Sequence, residues 1–215
     1  MPGDKLHIQD IKTAGKALDE AKNVLIMLHG RGGSAEDILT LSQYFPLEDF
    51  ALLAPQATNH TWYPYSFMAP PAQNEPWLSS ALALLEMMVR DISKQGIAPE
   101  NIYWLGFSQG ACLMLEAVTR KATRYGGIVA YTGGLIGDKI YRENYQGDFK
   151  QTPVFIGSSN PDMHVPVERV YATSNIMRDM HANVTEKIYE GMGHTINQGE
   201  IEQAVKLIFS PGLKA

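Results

Sequence analysis

Short apolar runs recur along the chain, and each ends at a glycine, a proline or a polar turn. They cover residues 23–28, 50–55, 102–107, 127–131 and 152–157, and a last strand is predicted over 185–189. Near-continuous apolar runs of this length are typical of strands that are covered on both faces in a parallel sheet. Leu6, Ile8 and Ile11 alternate with polar residues, which favours an edge strand or hairpin within 1–22.

Segments with helical patterns separate these strands. The pattern predicts helices over 35–44, 77–95, 111–117, 167–183 and 197–209. Strands that alternate with helices indicate an α/β domain with a mainly parallel, doubly wound sheet and helices on both faces. A chain of 215 residues suits one such domain, so we expect a single domain over 1–215.

The segment 56–76 has no clear period and is rich in aromatic residues and prolines. Long ordered loops of this kind are often lids or binding loops, so we expect a lid or a pocket wall. Trp62, Tyr63 and Tyr65 are the candidate substrate contacts. The plain alternative is that these rings serve packing alone.

Composition excludes several classes of protein. The net charge is −5 and there is no basic run, which argues against nucleic acid as a partner. No apolar run approaches the length of a membrane span, and the start, residues 1–7, lacks the apolar core of a signal peptide. We therefore expect a cytoplasmic protein without stable membrane insertion. One cysteine, Cys112, excludes an internal disulfide.

No cluster of His, Asp or Glu has the spacing of metal ligands, so we expect neither a metal nor a cofactor. His7, His60 and His181 have no acid pattern nearby and are interpreted as surface residues. Whether the chain forms a homodimer stays open at this level.

The sequence Gly106-Phe107-Ser108-Gln109-Gly110 follows the apolar run at 102–107 and precedes a helical pattern. A serine on so sharp a strand-to-helix turn is held out from the backbone, as in the nucleophile elbow of α/β-hydrolases. The alternative is an ordinary turn serine or a helix N-cap. Partners for Ser108 decide between these interpretations, because a serine hydroxyl needs a base within hydrogen-bond reach.

Two polar residues that follow predicted strands are the candidate partners of Ser108. Asp162 lies just past 152–157, and His194 lies just past the last strand. The order Ser, Asp, His along the chain is the one that this fold uses. Asp138 is a rival acid and His164 a second candidate base.

Four pieces of sequence together resemble the phospholipase/carboxylesterase family of small α/β-hydrolases, the relatives of acyl-protein thioesterases and bacterial carboxylesterases. They are Leu28-His29-Gly30-Arg31-Gly32, the Gly106–Gly110 segment, Asp162 with Val165-Pro166, and Gly193-His194. The resemblance implies the α/β-hydrolase fold and a small-molecule ester as substrate.

The resemblance also implies a role for each site residue. Ser108 would be the nucleophile, His194 the general base and then acid, and Asp162 the residue that orients the imidazole. The oxyanion hole would consist of the backbone N–H groups of Arg31 and Gln109. His29 is interpreted as structural support for the glycine loop.

Some positions depart from the pattern of the family. Arg31 stands where members commonly carry an apolar residue, and this arginine could favour anionic substrates or pair with an acid. Asn160-Pro161 before Asp162 is unexpected, and we expect the loop 56–76 to be specific to this subgroup.

The sequence as a whole predicts a serine carboxylic-ester hydrolase that forms an acyl-serine intermediate and acts on small or short-chain esters. A thioesterase or lysophospholipase-type deacylase would use the same residues. A non-catalytic binding protein with this fold is the alternative from a different class.

Overall fold

Within residues 6–210, the part of the chain that the computed structural model describes, seven strands form one sheet. The strands of this sheet are β1 Ile11–Gly15, β2 Asn23–Leu28, β3 Phe50–Pro55, β4 Ile102–Phe107, β5 Gly127–Tyr131, β6 Pro153–Asn160 and β7 Asn183–Glu190. Their order in the sheet is β1-β3-β2-β4-β5-β6-β7, and every neighbouring pair is parallel except β1 with β3. Residues 1–5 and 211–215 lie outside the described residues. The first of these ranges belongs to the segment 1–7 that was considered above for a signal peptide.

Five α-helices in the described residues cover the two faces of this sheet. They are α1 Ala35–Leu39, α2 Trp77–Lys94, α3 Gln109–Arg120, α4 Val167–Asp179 and α5 Gln198–Ala204. Apolar residues of α2, α3 and α4 join the larger core cluster, and those of α1 and α5 join the cluster on the other face. The predicted fold class, a mainly parallel sheet with helices on both faces, is confirmed.

Two helix ends have recognisable capping residues. The Ser34 side chain accepts from the backbone N–H of Asp37, and the Asp37 side chain accepts from the N–H of Ser34, which is a capping box for α1. After α2, Gly96 adopts a φ of +84°, a conformation that costs glycine little.

Of the two alternatives for the start of the chain, the edge strand is confirmed: β1 lies at the edge of the sheet and pairs with the distant β3. The bounds of several other predicted elements differ from the structure. Helix α1 ends at Leu39 and a 3₁₀ turn follows over Thr40–Tyr44. Helix α4 stops at Asp179, four residues early, because Asn183 already pairs with Pro153 in the sheet.

The interpretation of His7 as a surface residue was wrong. His7 is 2% exposed and its ring lies between those of Trp62 and Trp77. Its Nε2 is 2.9 Å from the carbonyl oxygen of Trp62. Burial lowers the pKa of His7, although the hydrogen bond to Trp62 opposes this effect.

Glu200 in the first turn of α5 is a carboxyl group buried in the core. It is 0% exposed, and its Oε2 accepts a hydrogen bond of 2.9 Å from the backbone N–H of Asn197. Its Oε1 has no partner within residues 6–210 and lies so close to Gly157 that a Cβ there would collide with it. Burial raises the pKa of Glu200 to about 7, because a buried charge is poorly solvated.

This shift predicts a measurable pH dependence of stability. The folded protein keeps Glu200 protonated up to about pH 7, whereas the unfolded chain releases this proton near the ordinary value of 4.5. The folded state therefore binds more protons between these values, and the free energy of unfolding falls as pH rises, by up to about 3 kcal/mol. Because glutamine does not ionise, Glu200→Gln should show a flatter profile in urea unfolding at pH 5, 6, 7 and 8.

Glu202→Gln is the matched control, since Glu202 lies exposed on the same helix. It should keep the slope of the unchanged protein. A Glu200→Gln profile as steep as that of Glu202→Gln would contradict the prediction.

Candidate active site

Ser108 occupies a strained turn between β4 and α3. Its backbone has φ 54° and ψ −120°, in a region that L-residues rarely adopt. A Cβ on Gly110 would collide with the carbonyl of Leu28, and one on Gly106 would lie 2.8 Å from the backbone of Ala111. Both glycines are needed because α3 packs directly on the sheet, and this packing lifts the serine above the sheet edge.

A hydrogen-bonded chain of three side chains begins at this serine. Ser108 Oγ lies 2.7 Å from Nε2 of His194, and Nδ1 of His194 lies 2.9 Å from Oδ2 of Asp162. The side chain of Asp162 is 0% exposed and that of His194 is 19% exposed. With the proton on Nδ1 donated to the carboxylate, Nε2 is left to accept from the serine hydroxyl.

The Asp162 carboxylate is held in its ionised form. Burial tends to raise its pKa, but the backbone N–H groups of His164 and Val165 donate to Oδ1 at 2.7 and 2.9 Å. These donors, together with His194, outweigh burial and leave the pKa below its ordinary value. A charged acceptor is therefore present at neutral pH beside Nδ1 of His194.

Ser159 joins the two loops that carry Asp162 and His194. Its Oγ accepts from the backbone N–H of Gly193 at 2.9 Å and donates to the carbonyl of Pro161 at 3.1 Å. Gly193, which precedes His194, is thus bonded to β6, the strand that leads to Asp162. Sequence reasoning missed Ser159; its position at the end of β6 was the available signal.

The rival candidates lie elsewhere or play other parts. The Asp138 carboxylate is exposed and accepts from the Tyr141 hydroxyl at 2.7 Å. The His164 ring packs edge-on against His194, with centroids 4.7 Å apart, but Ser108 is bonded to His194. His29 is 1% exposed, and its ring nitrogens contact the Gly30 carbonyl and the Ala57 N–H, as structural support would require.

Two residues that line this site have backbone N–H groups without an acceptor in residues 6–210. Among the hydrogen bonds of residues 6–210, none comes from the backbone N–H of Arg31 or of Gln109. Gln109 is the first residue of α3, where backbone donors have no partner inside the helix. Both residues line the same cleft as Ser108.

The cleft above Ser108 has a volume of about 420 Å³. Tyr63 and Tyr65, two of the three candidate substrate contacts, line it, and so does Cys112. Trp62 does not line the cleft. Its indole is 0% exposed, donates to the carbonyl of His29 at 2.9 Å and packs on the imidazole ring of His29.

The loop segment 63–67 forms one wall of the cleft, and several side chains hold it. The carbonyl of Tyr63 accepts from Gln109 Nε2 at 2.8 Å and from Arg31 Nη2 at 2.9 Å. Arg31 also donates to the carbonyls of Pro64 and Tyr65, at 3.0 and 2.8 Å. Arg31 and Gln109, whose backbone N–H groups have no acceptor in the described part of the chain, thus both stabilise this wall through their side chains.

Asn74 fixes the same wall from behind. It is 0% exposed, accepts from the Tyr65 N–H at 2.9 Å and donates to the Ser66 carbonyl at 3.0 Å. An asparagine in a proline-rich loop gives no sequence signal for such a role.

Within residues 6–210, no group of three or more His, Cys, Asp or Glu side chains could hold a metal ion. In the same part of the chain, none of the helices combines the length and the apolar character that crossing a bilayer requires.

The topology and the turn at Ser108 define the class of protein, an α/β-hydrolase fold. The family model for Phospholipase/Carboxylesterase proteins matches residues 11–209, so the chain belongs to the phospholipase/carboxylesterase family. This is a family of carboxylesterase- and thioesterase-type hydrolases.

The chain is similar to proteins of known structure and to curated relatives. It is 54% identical to a phospholipase/carboxylesterase from Dyadobacter fermentans, with a TM-score of 0.93 over 94% of this chain and 97% of that one. Acyl-protein thioesterase 1 of Saccharomyces cerevisiae is 27% identical, over 92% of this chain and 96% of the relative. The carboxylesterase of Bacillus cereus, 22% identical over 92% of each chain with a TM-score of 0.74, shares the fold.

The contacts of Asn74 predict a pH-dependent defect in Asn74→Asp. The carboxylate keeps the bond from Tyr65 but sets a buried negative oxygen against the carbonyl of Ser66. We expect a loss of about 2–3 kcal/mol in unfolding free energy at pH 8, and a smaller loss at pH 5, where a protonated carboxyl can donate again. Urea unfolding at both pH values measures it.

Asn175→Asp is the control, because Asn175 is an exposed residue of α4. It should change stability by less than about 0.5 kcal/mol at either pH. Equal stability of the two variants at pH 8 would contradict the role of Asn74.

Proposed function

We propose that the protein is a serine carboxylic-ester hydrolase that acts through Ser108, His194 and Asp162 and an acyl-serine intermediate. The observation that carries the proposal is the hydrogen-bonded chain from Ser108 Oγ through His194 to Asp162, at 2.7 and 2.9 Å. A buried carboxylate, an oriented imidazole and a partly exposed hydroxyl in this order are what nucleophilic acyl transfer requires.

In the first half of the reaction, Ser108 Oγ attacks the ester carbonyl carbon while His194 Nε2 takes the hydroxyl proton. The imidazolium that results is stabilised by the Asp162 carboxylate on Nδ1. His194 then gives the proton to the leaving alcohol, the ester C–O bond breaks, and the acyl group stays on Ser108.

The oxyanion that forms during the attack would be held by the N–H groups of Arg31 and Gln109. They support this role because they are unpartnered and line the cleft beside Ser108. Each such donor is worth about 3 kcal/mol in the transition state. In the second half of the reaction, water attacks the acyl-serine with His194 again as base, and the acid leaves.

The cleft favours small or short-chain esters. Its volume of about 420 Å³ is near the lower end for small-molecule sites, and the wall at 63–67 is fixed by side-chain hydrogen bonds. A thioester would follow the same steps with a thiol as leaving group, and one relative named above is an acyl-protein thioesterase.

Ser108→Ala should abolish catalysis and covalent labelling together. Without the nucleophile, we expect turnover of p-nitrophenyl butyrate to fall at least about 10⁴-fold and a fluorophosphonate probe to leave the protein unlabelled. His194→Ala should lose nearly as much, since the residues act as a unit. If the unchanged protein were a non-catalytic binding protein, it would neither hydrolyse the ester nor react with the probe. Absence of hydrolysis or of labelling in the unchanged protein would therefore refute the proposal.

Ser159 should act as a positioning residue for His194. Ser159→Ala removes the acceptor for the Gly193 N–H, so the imidazole is less well fixed; we expect kcat for p-nitrophenyl butyrate to fall about 10-fold or more with KM nearly unchanged. Ser159→Thr keeps the hydroxyl and should recover part of the loss.

Ser158→Ala is the matched control, because Ser158 is equally buried on the adjacent position of β6 and its hydroxyl has no partner within residues 6–210. It should keep kcat within about twofold. A Ser159→Ala variant as active as Ser158→Ala would exclude the positioning role.

A further inference from the structure

The charged groups around the cleft have one sign. Of its lining residues, Arg31 carries a full positive charge, and none is an aspartate or glutamate. This contrasts with the whole chain, whose net charge is −5. An electropositive cleft on an acidic protein needs an explanation.

Two anionic groups near the cleft, Asp162 and Glu116, are neutralised or withdrawn from it. The Asp162 side chain is 0% exposed and is bonded to three donors. Glu116, behind Cys112, is bonded to Arg120, Tyr145 and the Ile136 N–H. Burial raises the pKa of Cys112 to about 12, so its thiol is neutral.

Arg31 has no carboxylate partner within residues 6–210; its three hydrogen bonds there go to the carbonyls of Tyr63, Pro64 and Tyr65. A guanidinium has five N–H groups, so two remain for a ligand, on Nε and on Nη1. Carbonyl dipoles orient the group without cancelling its charge. The sequence left two roles open for Arg31, pairing with an acid or binding an anionic substrate. Because no acid pairs with Arg31 within residues 6–210, the anionic substrate is favoured.

From this arrangement we infer that the natural substrate is an ester that carries a negative charge, a carboxylate in the acyl or the alcohol part, and that Arg31 recognises it. The inference rests on the proposed esterase function and specifies its substrate class. Arg31 is the specificity-determining side chain, and its backbone N–H serves the oxyanion separately. Since the guanidinium is partly exposed, its attraction should weaken with salt.

Two series of matched esters test this inference. The first is X–(CH₂)₃–CO₂CH₃ and the second is CH₃CO₂–(CH₂)₃–X, where X is a carboxylate, an isopropyl or a trimethylammonium group of similar size. Hydrolysis is followed by quantifying the released alcohol or acid. The two series distinguish an anion in the acyl part from one in the alcohol part.

We expect the anionic member of one series to exceed its neutral isostere about fivefold or more in kcat/KM at low salt, and the cationic member to be the poorest. Arg31→Gln should reduce this ratio to about one, whereas Arg31→Lys should keep most of it. In 0.5 M NaCl the ratio should shrink. The ratio of kcat/KM between two esters is measured on the same preparation of one variant. It is therefore independent of the fraction of that protein that is folded.

Arg90→Gln is the matched control, since it removes the same net charge from an exposed site on α2, outside the cleft lining. It should leave the ratio unchanged. Neutral esters that are preferred in both series, or a ratio that Arg31→Gln does not alter, would overturn the inference while leaving the esterase proposal intact. A protein that hydrolyses none of the six esters and is not labelled at Ser108 would instead refute the esterase proposal.

Discussion

The close packing of α3 on the sheet is the constraint on which the rest of the site depends. Gly110 lies where any Cβ would collide with the carbonyls of Leu28 and His29, at the end of β2, and Gly106 lies against the backbone of Ala111. With both side chains absent, the chain turns within one residue, and Ser108 takes a positive φ with its hydroxyl above the carboxyl edge of the sheet. The same turn leaves the N–H of Gln109 free, because it is the first residue of the helix.

The two partners of this serine come from loops that follow β6 and β7, and their placement is over-determined. Asp162 is oriented by two backbone donors of its own loop, and Ser159 bonds the loop of His194 to the end of β6. Neighbouring parallel strands end at the same edge, so short loops suffice to bring the imidazole between carboxylate and hydroxyl. Rigid strands with short, bonded loops give the precision that acyl transfer requires.

The wall of the cleft depends on the same residues as the proposed oxyanion hole. The backbone N–H groups of Arg31 and Gln109 have no acceptor within residues 6–210, and the side chains of both residues hold the carbonyls of 63–65. A backbone donor is independent of the side chain, which leaves the side chain at position 31 available for another task. The aromatic residues divide accordingly: Tyr63 and Tyr65 line the cleft, whereas Trp62 packs on His29 beneath it.

The sequence by itself determined the strands, the order of sheet and helix, and the turn at Ser108, because apolar runs and Gly-x-Ser-x-Gly are local signals. It also identified Asp162 and His194 as candidates, since each follows a strand whose end could be located along the chain. Only the tertiary structure decided which groups meet: the burial of His7 against Trp62, the pairing of β1 with β3, and the contacts of Ser159, Asn74 and the Arg31 side chain. These contacts join residues or backbone groups whose relative orientation no periodicity or motif encodes, so they become visible when the chain is packed.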